Sequence, residues 1–148
     1  MGFEVTGIEK LMSALQTMAN PDFADQALRK GLMLAGKQVQ GTAKGLCHVE
    51  TGQLRNSIEV TPIENGVDVG TNVEWAIYEE YGTGKQGDPS VSHTTKDRWS
   101  YQDEEGNWHT TSGHEPHPFL YPALKANEQN IVSITKKTLP GEIDRLVK

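Results

Sequence analysis

Apolar residues recur along this chain with two different periods. Near the start, Ile8, Leu11, Met12, Leu15, Met18 and Ala19 repeat every three or four positions, the spacing of an amphipathic helix. Thr6 and Glu9 stand at capping-box spacing and place its start near Gly7. Asn20-Pro21 stops this helix and begins another, with Asn20 as cap and Pro21 in the first turn. The second helix is expected from about Pro21 to Leu46. One face carries Ala24, Ala27, Leu28, Gly31, Ala35, Val39, Ala43 and Leu46, most of them small. Gly31, Gly36, Gly41 and Gly45 each weaken a helix by roughly 1 kcal/mol relative to alanine. They imply close approach of a partner, either the chain's own sheet or a neighbouring subunit.

Beyond residue 50 the period shortens. Thr51-Gly52 predicts a turn and Gln53–Asn56 a short helical step. Ile58 and Val60, then Val67 and Val69, alternate with polar residues, so strands are expected near Ser57–Ile63 and Val67–Thr71. Glu64-Asn65-Gly66 supplies the turn of a hairpin. VEWAIYEEYG (73–82) reads as a short helix with Trp75, Ile77, Tyr78 and Tyr81 on one side and Gly82 as its C-terminal cap. Residues 83–117 are a long polar excursion, and excursions of that length in a compact fold are usually functional or disordered. It contains a second hairpin, in which Asp103-Glu104-Glu105-Gly106 suits a type I turn closed by a glycine bulge. That register puts Trp99 and Tyr101 on one face and Trp108 on the other.

The chain ends in helical spacing again. HPFLYPALKANEQNIVSITKK starts at Pro118 or Pro122 and runs to about Thr138, with Leu120, Leu124, Ile131 and Ile134 inward. Pro140-Gly141 is expected to break it before a last turn in EIDRLVK. Segregated helices and antiparallel strands mean an α+β fold. The expected arrangement is an antiparallel β-sheet on a long N-terminal helix and a C-terminal helix, with a projecting β-hairpin insertion. Residues 1–148 are expected to form one domain, with 83–117 as the projecting loop and hairpin.

Charge and composition narrow the function. The 148 residues carry a net charge of −6. An acidic chain is a poor candidate for gripping a nucleic-acid backbone. Cys47 is the single cysteine, which excludes an internal disulfide and fits a reducing compartment. No run of 18 apolar residues exists, and the N-terminus does not read as a signal peptide. Gly2 and Thr6 match a myristoylation spacing that is common by chance.

Candidate chemistry is sparse. Gly82-Thr83-Gly84-Lys85 looks like the end of a phosphate loop, but Glu79 stands where that motif needs its first glycine and Gln86 follows the lysine. The flanking Asp88-Pro89 prevents the required helix. His93, His109, His114 and His117 lie in the excursion, yet Pro116 and Pro118 splay the closest pair, and no metal site is expected. Carboxylates are plentiful in Glu79, Glu80, Asp103, Glu104 and Glu105, but those in the hairpin turn are expected to be solvated, with nothing to shift their pKa values. Ser57, Ser90, Ser92, Ser100 and Ser112 have no nucleophile setting. No catalytic residue and no cofactor are expected.

Three stretches, TGQLRNSI (51–58), WAIYEEYGTG (75–84) and HPFLYPAL (117–124), stand in order around a glycine-turned hairpin. Together they resemble the tail-completion or head–tail joining family of long-tailed bacteriophages and prophages, over roughly residues 20–138. The resemblance implies a non-enzymatic virion protein that forms a ring, expected to be a hexamer, at the head-proximal end of the tail. Its implied partners are other copies of itself, the tail tube or terminator protein, and the head-completion or connector protein. Genome DNA would pass through the lumen without specific binding. The alternative is a small cytosolic protein-binding or toxin-related module of a mobile element. The excursion at about 86–116 departs from the family pattern.

Tyr81, Thr83, Lys85, Trp99, Tyr101 and Trp108 are the candidate subunit or partner contacts. Gly84 and Gly82 are expected to give hinge freedom to an arm starting near Thr83, with Lys85 meeting a partner's carboxylate. Leu54, Ile58, Trp75, Ile77, Phe119 and Leu124 are most simply core, with Tyr78 in the same motif. Gly52 and Gly82 are most simply turn formers.

Overall fold

The computed structural model describes residues 8–50, 52–64 and 66–147. Helix α1 spans Ile8–Ala19 and α2 spans Pro21–Leu46. The capping residue Thr6, the predicted start at Gly7 and the turn residues Thr51 and Asn65 lie outside the described residues. Pro21 occupies the first turn of α2, and the Asn20 side chain accepts from Asp22 N at 2.9 Å. A short helix α3, Gln53–Ser57, leads into strands β1, Glu59–Ile63, and β2, Gly66–Gly70. Helix α4, Ala76–Tyr81, and a single 3-10 turn at Gly84–Gln86 precede β3, Trp99–Gln102, and β4, Trp108–Thr111. Helix α5, Leu120–Val147, completes the α+β arrangement. Both hairpins are antiparallel and each forms its own two-stranded sheet. No helix among the described residues is long and apolar enough to cross a membrane.

The scaffold is α2 packed along α5, with the β1–β2 hairpin laid against α2. Two glycines make this possible. A Cβ at Gly31 would lie 2.8 Å from Thr138 Oγ1 and 3.2 Å from Thr135 Cα of α5. One at Gly36 would lie 2.8 Å from Val60 and 3.1 Å from Val67 of the hairpin. The close partners of the small-residue face are therefore α5 as well as the chain's own sheet. Gly41 and Gly45 differ: nothing approaches within 4 Å, so no described contact offsets their helix-weakening effect.

Burial also departs from simple periodicity. In α1, whose side chains are described from Ser13 onward, Ala14 is buried and Met18, four positions on, is partly buried, while Leu15 is exposed; the expected inward positions Ile8, Leu11 and Met12 lie outside the described side chains. In α2, Ala24, Leu28 and Leu46 are exposed. The core gathers Val39, Ala43, Cys47, Leu54, Ile58, Ala76, Phe119 and Ala123, with Phe119 and Ile58 its largest fully buried side chains. Asn127 of α5 is buried too. Its amide donates to Thr42 Oγ1 and Ala123 O, each at 2.8 Å, which satisfies the polar group at the helix–helix seam.

Helix α5 does not break at Pro140-Gly141. It runs through to Val147, with Pro140 exposed on its outer side. An interior proline costs a helix about 3 kcal/mol. Just past it, Glu142 pairs with Lys30 of α2 and with Arg145, which ties the final turns to the scaffold.

Candidate functional site

The excursion leaves and rejoins the fold at one junction, where three glycines interlock. Gly82, Gly84 and Gly113 all have positive φ, at 69°, 67° and 87°. Gly82 caps α4 by donating to Tyr78 O at 2.8 Å. A Cβ there would meet His114 O and Pro116 N at 2.7 Å. Thr83 N donates to His114 O at 3.0 Å, and His114 N returns a bond to Thr83 Oγ1 at 3.3 Å. A Cβ on Gly113 would come within 2.3 Å of Thr83 O. Only glycine permits that combination of dihedral and approach.

These contacts overturn the expected hinge. Thr83 and Gly84 are buried, and the arm is locked at its root by the backbone of 112–116. Lys85 does meet a carboxylate, but it is Asp97 of the same excursion. The Gly82–Lys85 segment offers no phosphate cradle, because its backbone already faces the returning chain at 112–116.

Glu80, which the sequence offers only as one carboxylate among several, caps a helix distant in the chain. Its carboxylate is buried at the N-terminus of α5. Oε2 accepts from Phe119 N at 2.8 Å and Leu120 N at 3.0 Å, and Oε1 accepts from Tyr121 N at 2.9 Å. The first amides of a helix have no intrahelical acceptor, and a carboxylate there also opposes the positive end of the helix dipole. A signal did exist in the sequence. The residues before Leu120 are His-Pro-Phe, with no Ser, Thr, Asp or Asn to cap the helix. An uncapped, buried start requires an acceptor from elsewhere.

From this root the β3–β4 hairpin extends. Its register pairs Trp99 with Thr111, Tyr101 with His109 and Gln102 with Trp108. Trp99 and Tyr101 thus share one face and Trp108 takes the other, as the turn chemistry predicts. The tip is organised by Asp103, which accepts from Glu105 N, Asn107 N and the Asn107 amide, and bonds His109 Nε2 at 2.7 Å. The His109 bond, followed by the Asn107 backbone bond, lowers the Asp103 pKa to about 2. Asp103 is therefore not the unperturbed solvated carboxylate the sequence suggests. Tyr101 stacks on His109 at 5.4 Å between centroids.

The candidate contact residues separate into two groups. Trp99 turns inward, with Cζ3 at 3.1 Å from where a Gly84 Cβ would stand, and anchors the hairpin to its own root. Tyr101 and Trp108 are exposed, Trp108 by 72%. Thr83 and Lys85 are engaged inside the chain, and Tyr81 is on the surface of α4. Among the residues expected in the core, Leu54, Ile58 and Phe119 are buried, whereas Trp75, Ile77 and Leu124 are exposed. Tyr78 is exposed as well. The six-residue helix α4 buries its short side, Ala76 and Glu80, because Glu80 must reach α5; its large side chains consequently face out. Gly52 adopts φ 79° at the start of α3, and Gly82 ends α4, so both are turn formers.

A second surface feature adjoins these residues. An open apolar trough of about 440 Å³ has Gly36 and Val39 of α2 as its floor, Val67 and Val69 of β2 as one wall, and Tyr121 and Leu124 of α5 as the other. A shallower depression of about 380 Å³ continues it past Leu120 and Tyr121 to Ile77 and Tyr81.

No group of three or more His, Cys, Asp or Glu side chains among the described residues is placed to hold a metal ion. His48 and His117 approach to 4.4 Å between ring centroids, with Glu79 Oε2 3.8 Å from His48 Nδ1. Cys47 is buried, and desolvation, aided by Glu79, raises its pKa, which disfavours the thiolate.

Searches of curated proteins and of solved structures gave no match at the significance level applied. A family description, "HK97-gp10_like: Bacteriophage HK97-gp10, putative tail-component", matches residues 8–82. The match starts earlier than the resemblance read from the motifs and ends at Gly82, where the excursion begins. It spans half of the chain, from α1 to the cap of α4, and on that basis the protein belongs to the HK97-gp10-like family of bacteriophage tail components.

Proposed function

We propose that this protein is a non-enzymatic virion component that forms a ring at the head-proximal end of a phage tail and joins the tail to the head connector. The observation that carries this reading, beyond family membership, is the projecting hairpin. It is rooted rigidly by the Gly82–Gly84/Gly113 junction yet leaves Tyr101 and Trp108 in water. Exposed aromatics on a preorganised element are typical anchors of protein interfaces. The expected partners are further copies of this chain, together with the tail tube or terminator protein and the connector.

The net charge of −6 suits a ring through which DNA must slide without sticking. A hexamer is the expected copy number, and its lumen is expected to lack a basic stripe. Electron microscopy of particles produced without this protein tests the reading. Full heads beside unattached tails support it; normally joined particles refute it.

A further inference from the structure

The two-stranded sheet lies on α2 and leaves the surface between β2 and α5 open. The uncovered strip is the apolar trough beside β2. Ile63 pairs with Gly66 with two residues between them, so the ladder bonds fall on 63/66, 61/68 and 59/70. The outward backbone groups are then those of Val60 and Pro62 on one edge and of Val67 and Val69 on the other. Pro62 has no N–H, which blunts the β1 edge against further pairing. The β2 edge has no such block, and it runs along the trough, which Val67 and Val69 line.

The β3–β4 hairpin has a matching edge. Asp103 N donates to Asn107 O at 3.0 Å, so the ladder continues through 101/109 and 99/111. Trp108 and Thr110 therefore direct their backbone groups outward from β4, with the same two-residue spacing as Val67 and Val69. The side chain of Trp108, 72% exposed, stands on the same face as Thr110. The two sheets are separate within one chain, and the hairpin is held at its root by Thr83, Gly84 and Gly113.

We propose that β4 of one copy adds as an antiparallel third strand to β2 of a second copy, placing Trp108 in that copy's trough. Val69 then faces Trp108, Asp68 faces His109, and Val67 faces Thr110. Trp108 enters the end of the trough lined by Val69, Leu120 and Tyr121. Strand addition supplies main-chain hydrogen bonds and the trough supplies side-chain selection, the two components of β-augmentation. The hairpin 99–111 carries three carboxylates and neither Lys nor Arg, while α2 and α5 expose Lys37, Lys136 and Lys137, with Lys125 paired to Glu128, and Asp68 of β2 would face His109. The donating and accepting surfaces are different parts of one chain, so the contact is head-to-tail, and it closes into a ring when the rotation between copies divides a full turn.

This inference rests on the ring reading and names its subunit contact. In the proposed register Asp68 and His109 form a non-hydrogen-bonded pair, whose Cα separation of about 4.5 Å permits a disulfide. The test is the double variant Asp68→Cys/His109→Cys, oxidised both as concentrated purified protein and in assembled particles. Each single variant serves as control, and Trp108→Ala is introduced into the same background. The expected result is a ladder of linked chains on a non-reducing gel, absent from both single variants and reduced at least tenfold by W108A with an unchanged melting temperature. A disulfide within one chain, no linkage in either sample, or a ladder undiminished by W108A overturns the proposal. The ring reading fails separately, if particles contain no multiple copies of this protein at the neck.

Discussion

Replacing Glu80 should be the most damaging single change in the molecule outside the apolar core. Its carboxylate satisfies three backbone amides at once, those of Phe119, Leu120 and Tyr121, at 2.8–3.0 Å. Hydrogen bonds to a charged group contribute about 1.5–3 kcal/mol each, and a buried donor left unpaired costs about 1–3 kcal/mol. Two of the bonds share one oxygen, so the contributions do not add fully. Removing the carboxylate also ends its burial cost. The expected loss for Glu80→Ala is about 3–5 kcal/mol, which for a chain of this size lowers Tm by on the order of 10 °C. Glu80→Gln keeps one carbonyl oxygen but turns an NH₂ toward a backbone donor, and should lose about 1–2 kcal/mol. Thermal and urea unfolding followed by far-UV circular dichroism measure both. An E80A protein within about 1 kcal/mol of the unsubstituted chain would refute the reasoning, because it would mean that α5 starts without this cap.

Gly113→Ala should loosen the root of the excursion, since both its φ of 87° and the 2.3 Å approach to Thr83 O exclude a Cβ; limited proteolysis within 83–117 should accelerate, and unchanged cleavage would contradict the locked junction. Gly41→Ala and Gly45→Ala meet nothing within 4 Å and should each stabilise α2 by about 0.5–1 kcal/mol. Gly31→Ala should destabilise instead, because its Cβ would strike Thr138; equal effects at Gly31 and Gly41 in denaturant titrations would contradict the packing. His109→Ala should raise the Asp103 pKa from about 2 toward the usual carboxylate value. The native pKa is depressed, so the bond's contribution is present above about pH 4 and is lost as pH falls toward 2. NMR titration of the Asp103 side chain reads this directly, and an unshifted midpoint in H109A would count against the pairing.

Much of the fold was legible because its signals are local. Asn20-Pro21 fixes the start of α2, and the Asp103–Gly106 turn fixes the hairpin register and therefore which aromatics share a face. What escaped depended on partners distant in sequence. Glu80 reads as one more surface charge until α5 is brought onto it from some forty positions away. The glycines around Lys85 read as a hinge until the returning backbone at 112–116 closes over them. Pro140 reads as a stop because local propensity has no knowledge of the Lys30–Glu142 contact that holds the helix beyond it. The large residues of α4 read as core because periodicity reports an apolar side without saying whether that side is turned inward. Their exposure, with the open trough beside them, is what leaves this chain with surface suited to assembly.

The proposed ring has a definite place and copy number in a particle. Cryo-electron microscopy of the head–tail junction in intact virions tests it most directly. The predicted result is a ring of six copies of this α+β fold at the head-proximal end of the tail tube, encircling a lumen without a belt of Lys and Arg. Density for this fold elsewhere along the tail, or a junction assembled without it, would contradict the account.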